Sequence, residues 1–404
     1  MSVISAAGVP RKLIFEYAAR LPCSSAGYFR KINLTSERLK YDYAKSCHLV
    51  GEQTKEEKMR ELLLRFSSSL LSGEPEADFL IREAKAQAED YENEYGRKIE
   101  AMKLWSDGYV SLVLSAVLVI IMGIISTMIW KVEFSFLIGL VVISTGTTGL
   151  GVWLLRMISP REKMVLSWAG SKEQKQARFL LKILVPLAAV VACMVVISQI
   201  NIGWAFLLMA ICVFPVGYLM EKDDQKITKR DVEIGTFLAS LGGIAGAIGT
   251  TVRDALSRID TDAINSLRQE VKHLHVRLKS GIAPRLCWNK FVDETGSELI
   301  NRSIGMFYDS IDLGGDAEQV GHHASLFATR IGNLRAKRKS VALPFRWLSI
   351  TMHAAVVALL VFISEVISVF GQLVAQAEAS MPASAAGSPG LSAFSSFNMA
   401  GLGV

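Results

Sequence analysis

Charge and cysteine are what this chain is short of. Only 20% of its 404 residues are charged, against about 25% in soluble domains. Five cysteines without any C-x-x-C spacing exclude a disulfide framework and a thiolate zinc site. No G-x-x-x-x-G-K-[ST] phosphate loop and no H-E-x-x-H motif occurs, which excludes those routes to nucleotide hydrolysis and zinc catalysis. Six histidines are present, and His273 with His275, and His322 with His323, stand too close in sequence to share a helix face as metal ligands. Gly242, Gly243, Gly246 and Gly249 imitate a dinucleotide loop, but no strand precedes them and they interrupt a helical stripe, so close helix packing is the expected role. No catalytic, cofactor-binding or metal-ligating set is expected, and no nucleic-acid partner. No apolar stretch of signal-peptide form occurs in the first 100 residues, and none is expected to be cleaved.

What the chain has instead is long stretches free of charge. Gly108–Trp130 holds 23 such residues and Phe134–Leu155 another 22. Ile183–Met220 is 38 residues long, with Gln199, Ile200 and Asn201 at its centre. One membrane crossing needs about 20 apolar residues, so that run reads as two crossings and a tight turn. A fifth stretch, Trp347–Phe370, is interrupted only by His353 and Glu365. Backbone groups in lipid must be bonded within their own segment, and alternating barrel strands are absent, so the spans are expected to be helices. Glu365 is the one acidic group in a span, and such groups are functional candidates by default. It lies about 27 Å beyond Trp347 at 1.5 Å per residue, where snorkelling into the interface is an equal explanation. Cys193 and Cys212 are expected to pack within their spans.

Lysine and arginine set the expected orientation. The loop 156–182 carries seven basic and two acidic residues, and 18 basic residues lie between 221 and 341, with Arg335, Lys337, Arg338 and Lys339 close to the fifth span. The intervening turns are nearly bare of charge, and nothing basic follows Arg346. The expected organisation is an all-α polytopic membrane protein with about five spans. A cytoplasmic helical domain covers 1–107, and four spans cover 108–220. A second helical domain covers 221–341, and a fifth span lies within 342–378. An uncharged Ala/Ser/Gly-rich tail, 379–404, is expected to be flexible and external. The basic cluster at 335–339 suits anionic lipid or an acidic partner.

Both polar blocks read as helices. Met59, Leu62, Leu63, Phe66 and Leu70 recur at three and four, with Thr54 and Glu57 as a capping box in front and Gly73 as the stop. A second stripe runs through Ile81, Ala84, Ala88, Tyr91, Tyr95, Ile99, Met102 and Trp105 without a stop signal, so this helix is expected to continue into the first span. In the second block apolar faces are broken at Gly249, at Gly281, and at Gly314 and Gly315, with Gly249, Gly281 and Gly315 lying 32 and 34 residues apart. That spacing predicts a repeat of helical hairpins turned by positive-φ glycines, packed as an antiparallel bundle.

Three features together resemble a known family. The first block ends in Phe66-Ser67-Ser68-Ser69-Leu70-Leu71-Ser72-Gly73-Glu74 and passes through an acidic, Tyr-rich helix to a span. The second contains Ile248-Gly249-Thr250-Thr251-Val252-Arg253-Asp254-Ala255-Leu256. The order is helical block, four spans, helical block, span. Over about Phe15 to Gln372 this resembles the type II secretion F family of inner-membrane platform proteins, and within it the archaeal FlaJ-like and the TadC-like members. It departs from them in a shorter first block and in lacking the further spans of longer archaeal members. The resemblance implies a non-enzymatic platform of a type IV pilus, archaellum or type II secretion machine. Its implied partners are a hexameric cytoplasmic ATPase, pilin-like subunits and membrane lipid. It also implies a homodimer or small homo-oligomer, which the small residues Gly146, Gly149 and Gly151 favour too. A transporter or channel is the first alternative, weakened by the scarcity of ionisable residues and the lack of matched broken helices in the spans. A signalling receptor is the second, weakened by outside loops of only a few residues.

Overall fold

The computed structural model describes residues 1–6, 8–21, 24–129, 134–160, 162–166, 172–197 and 202–380. Helices dominate them: α1 (Ser2–Ala6), α2 (Arg11–Arg20), α3 (Ala26–Leu39), α4 (Tyr43–Glu52), α5 (Glu57–Ser72), α6 (Glu76–Ile129), α7 (Phe134–Ile158), α8 (Lys172–Ile197), α9 (Ile202–Ile248), α10 (Val252–Leu256), α11 (Arg268–Lys279), α12 (Pro284–Thr295), α13 (Glu298–Asp312) and α14 (Ala317–Ser380). A 3-10 turn, Thr261–Ile264, precedes α11. The only β pairing among the described residues is an isolated antiparallel bridge between Val165 and Ser297.

Four helices among the described residues are long and apolar enough to cross a membrane, within Glu76–Gly123, Gly139–Ile158, Val213–Ile248 and Ala317–Leu373. The chain is therefore an all-α polytopic membrane protein. The third expected span falls in α8, where many side chains lie outside the description, as do the turn at 199–201 and the tail from 381.

Two compact units emerge. The first gathers the described residues of 1–93, 162–193 and 206–334, and the second those of 94–161, 194–205 and 335–404.

The first unit has two apolar clusters. In one, Phe15 stacks on Tyr43 at 4.6 Å and on Phe66 at 5.5 Å, and Phe66 stacks on Phe79 at 5.2 Å. This cluster forms because Met59, Leu63, Phe66 and Leu70 line one face of α5, as the three-and-four spacing demands. Gly73 closes that helix at φ +75°. The capping box expected ahead of α5 is absent: Thr54 Oγ1 donates to Val50 O at 2.7 Å and so completes the end of α4 instead. On α6 the expected stripe is buried only from Tyr95 to Met102; Ala84, Tyr91 and Trp105 are exposed, while Phe79 and Leu80 make the contact nearer the start.

The other cluster joins α9 to α14 of the second sequence block around Phe237, Trp288, Phe291 and Phe307. Val3 of α1 belongs to it, and Leu313 reaches the first cluster. Its helices end on left-handed glycines: Gly249 (φ +63°), Gly281 (φ +77°) and Gly314 (φ +87°). Each end closes as a Schellman turn. In the last, Gly314 N donates to Ile311 O at 2.9 Å and Gly315 N to Ser310 O at 3.0 Å. The turn residue is thus Gly314, correcting the expectation at Gly315, because the second glycine of the pair occupies the following position, where positive φ is not needed. A further break at Gly296 (φ +70°) has no counterpart in the sequence reading.

Within this unit α9 and α14 run antiparallel at very short range. A Cβ built on Gly242 would meet Ala317 O at 2.4 Å and Gly321 Cα at 2.8 Å. One on Gly235 would meet Thr329 Oγ1 at 2.5 Å, and one on Gly246 would meet Glu318 Cβ at 2.8 Å. These glycines are what lets the two backbones touch.

In the second unit α6 and α7 also run antiparallel. The Tyr109 ring fills the space over Gly151, 2.7 Å from where a Cβ would stand, and Ser144 Oγ donates to Ala116 O at 3.5 Å. Tyr109 also meets the Phe345 ring edge-on at 5.9 Å. Gly151 is therefore used inside the chain, while Gly146 and Gly149 face open space.

Candidate functional site

The most densely connected polar site is a buried junction in the first unit. It starts from three charged residues within one turn of α9, Arg230, Asp231 and Glu233. Arg230 donates to Thr295 O at 3.0 Å and to Ser266 O at 3.4 Å, and its guanidinium pairs with the Glu270 carboxylate. The side chains of this ion pair are only 10% and 11% exposed. Asp231, on the next residue, accepts from the Ser297 hydroxyl. Two residues further on in the same turn, Glu233 accepts from Ser266 N at 2.8 Å and Leu267 N at 3.2 Å, closing the start of α11 where donors lack helical partners.

Ser297 links this junction to the next element. Its hydroxyl accepts from Ile300 N at 3.4 Å, capping α13. Its backbone bridges Val165 in the segment between α7 and α8. Leu166 N donates to Gly296 O at 3.2 Å, Glu298 N to Met164 O at 3.1 Å, and Arg178 Nη2 to Leu166 O at 2.9 Å. Gly296 is required twice over: its φ is positive, and a Cβ there would stand 2.8 Å from Gln174 Nε2. Four separate stretches of chain are thus fastened at one point. A buried ion pair with its remaining donors satisfied fixes geometry more than it adds stability. The arrangement is that of a mechanical joint rather than of an acid–base centre.

A second feature is a cavity of about 720 Å³ beside the α11–α12 hairpin, with Val252, Leu278, Trp288, Phe307 and Ile311 among its lining residues. Burial pushes the Asp309 carboxyl up, Arg285 opposing it. Burial likewise raises Tyr308 and the Cys287 thiol. The Cys47 thiol, in the other cluster, is pushed up to about 12 by burial, with Asp42 adding to it. Such thiols are poor nucleophiles. Among the described residues no group of three or more His, Cys, Asp or Glu side chains could hold a metal ion.

The residues singled out from sequence lie elsewhere. Arg335 is buried, Arg338 and Lys339 are half-buried, and Lys337 is exposed, so they do not form one surface. Glu365 is exposed on α14. Gly73, Gly249 and Gly281 hold positive φ, whereas Gly315 does not. The junction residues Arg230, Asp231, Glu270 and Ser297 were missed, because a mixed-charge helical run reads as a solvated face.

No family model matches the chain, and no solved structure matches it. Two curated proteins do. The Flagella accessory protein J of Methanocaldococcus jannaschii is 22% identical over 324 residues, which is 76% of this chain and 57% of that protein. The protein of the same name from Methanococcus voltae is 22% identical over 312 residues, 72% of this chain and 55% of that protein. The chain is thus similar to FlaJ proteins over most of its own length. It spans only a little over half the length of these relatives.

Proposed function

We propose that this FlaJ-like chain is the membrane platform of an archaellum-type or type IV pilus-like filament machine. Its helical unit takes up motion from a cytoplasmic assembly ATPase, and its spans deliver that motion to pilin-like subunits leaving the bilayer. The observation that carries the reading is the similarity to two flagella accessory proteins along most of the chain. The physical support is mechanical. α6 is one unbroken helix from Glu76 to Ile129 and α14 one from Ala317 to Ser380. Each starts in polar sequence and continues through an apolar stretch, a form suited to rigid-body displacement. The glycine contact with α9 stiffens α14, and the junction around Arg230 holds α9 in turn.

In this reading both polar blocks and the loop 156–182 are cytoplasmic. Lys337, with Arg338 and Lys339, meets lipid headgroups or the ATPase. The platform works as a dimer or small oligomer. Glu365 lies near the outer interface.

Deleting the gene is expected to abolish filament assembly, and the detergent-solubilised chain is expected to retain the assembly ATPase on a column. Filaments of normal number and length in the deletion strain would end the proposal. A membrane-impermeant thiol reagent is expected to leave a Ser280→Cys variant unlabelled in intact cells; labelling from outside would reverse the orientation.

A further inference from the structure

The two apolar clusters of the first unit are joined at few points. The cluster around Phe15 and Phe66 draws its buried members from residues 4–80. The cluster around Phe237 and Phe291 draws its own from Leu166 and from 234–328. Two residues depart from this division among the described ones. Val3 lies in the second cluster, and Leu313, just past the end of α13, packs on the first. Val3 and Ile4 are neighbours in sequence and are 7% and 6% exposed, yet they belong to different clusters. α1 is therefore a wedge with one side chain in each core, and it packs against both α2 and α13. Charge links the same two helices. Asp309 of α13, whose carboxyl is pushed up by burial, feels Arg285 and Asp312 of its own cluster and then Arg20 of α2.

α1 is also lightly built. Five residues make little more than one turn, too short a helix to hold itself in water. Ser5 N donates to Met1 O at 2.8 Å and Ser5 Oγ to Ser2 O at 2.9 Å, so these bonds tie the turn to itself. The chain leaves it through Gly8, at φ +70° with open space where a Cβ would stand. Its neighbours have anchors of their own. Arg11 ties α2 to Glu76 at the start of α6, and Ile14, Phe15 and Ala18 are buried. Ile300, Ile304 and Phe307 hold α13 in the second cluster. A segment secured mainly by two aliphatic side chains opens at a free energy well below that of the cores it touches.

We infer that α1 is a detachable clip between the two helical clusters of the first unit. Docked, it makes them move as one body; released, it lets them move independently while each stays folded. The inference goes beyond the proposed function and stands whether or not the chain serves a filament. The opposing reading makes α1 one more piece of a single cooperative core, whose loss unfolds both clusters together.

The test uses the full chain in nanodiscs. Spin labels are carried on genetically encoded ketone side chains in place of Leu71 on α5 and Ser280 after α11, both exposed and one in each half of the unit. Pulsed spin resonance reads the distance between them. With α1 intact a single narrow peak is expected. Val3→Ser/Ile4→Ser should replace it by a broad distribution, and the milder Val3→Ala/Ile4→Ala should shift it in the same direction. Val3→Ile/Ile4→Val, which keeps both apolar contacts, should retain the narrow peak. Hydrogen exchange on the unlabelled chain supplies the second readout. The amides of α1 should exchange faster than those of α5 and α12, and the serine pair should leave α5 and α12 protected. A narrow peak in the serine and alanine pairs, or a broad one with α1 intact, refutes the clip. So does loss of protection throughout α5 and α12 in both pairs, or an α1 as slow to exchange as those helices, since either makes α1 part of one core.

Discussion

Replacing Gly242 by alanine tests the tightest approach at any described glycine. The added Cβ would stand 2.4 Å from Ala317 O and 2.8 Å from Gly321 Cα, where carbon atoms normally rest about 3.5–4.0 Å apart. Both obstructing atoms belong to the backbone of α14, so no rotamer change relieves the clash, and the helices must part by roughly 1 Å. Overpacking of this kind costs about 1–3 kcal/mol, and a backbone obstacle places it at the upper end. Alanine returns about 1 kcal/mol of helix propensity, leaving a net loss of about 2 kcal/mol. The neighbouring residue supplies the control. Gly243 has nothing within 4 Å of its Cβ position, so Gly243→Ala should gain about 0.5–1 kcal/mol from propensity alone. Adjacent substitutions of the same chemistry therefore move stability in opposite directions, by about 3 kcal/mol in total, or roughly 6–12 °C in apparent Tm for a unit of this size. Thermal unfolding of the detergent-solubilised chain measures it. Equal midpoints for the two variants would refute the backbone contact between α9 and α14.

Arg230→Met strands the buried Glu270 carboxylate and should cost about 3–5 kcal/mol, whereas Arg230→Met/Glu270→Met should recover more than half of that; denaturant titration distinguishes them. Gly314→Ala forces a side chain into the left-handed region and should cost about 1–2 kcal/mol, while Gly315→Ala carries no such penalty. Asp309 has a folded pKa raised by burial above the unfolded value of 3.8. Its contribution to stability is fully present below pH 3.8 and is lost as pH rises through the folded value. Asp309→Asn should therefore raise Tm at pH 7 and leave it unchanged near pH 3, and equal shifts at both pH values would contradict the burial argument.

The outlines of the fold were readable because they follow from local composition. Charge-free runs mark the spans, and glycines after apolar stripes mark the ends of α5, α9 and α11. What stayed hidden depends on distant residues. Arg230 meets Glu270 40 residues away, Asp231 meets Ser297 66 away and Glu233 meets Ser266 33 away. In sequence, such charges are indistinguishable from those of a wet helix face. Thr54 shows the same limit at short range: its hydroxyl could accept from the start of α5 or donate to the end of α4, and it donates to Val50 O. Gly242 and Gly246 were readable as close-packing residues, but their partner on α14 was not, since Gly321 stands alone, with no second glycine within a turn or two along α14.

The glycine contact between α9 and α14 also acts as a ratchet. Gly242 stands four residues from Gly246 and seven from Gly235, so the neighbouring notches along α9 lie about 6 and about 10.5 Å away. Small slips leave a Cβ pressed against a carbonyl. A pull on one of these helices is consequently borne by both, and the pair tilts or turns as a single two-stranded lever.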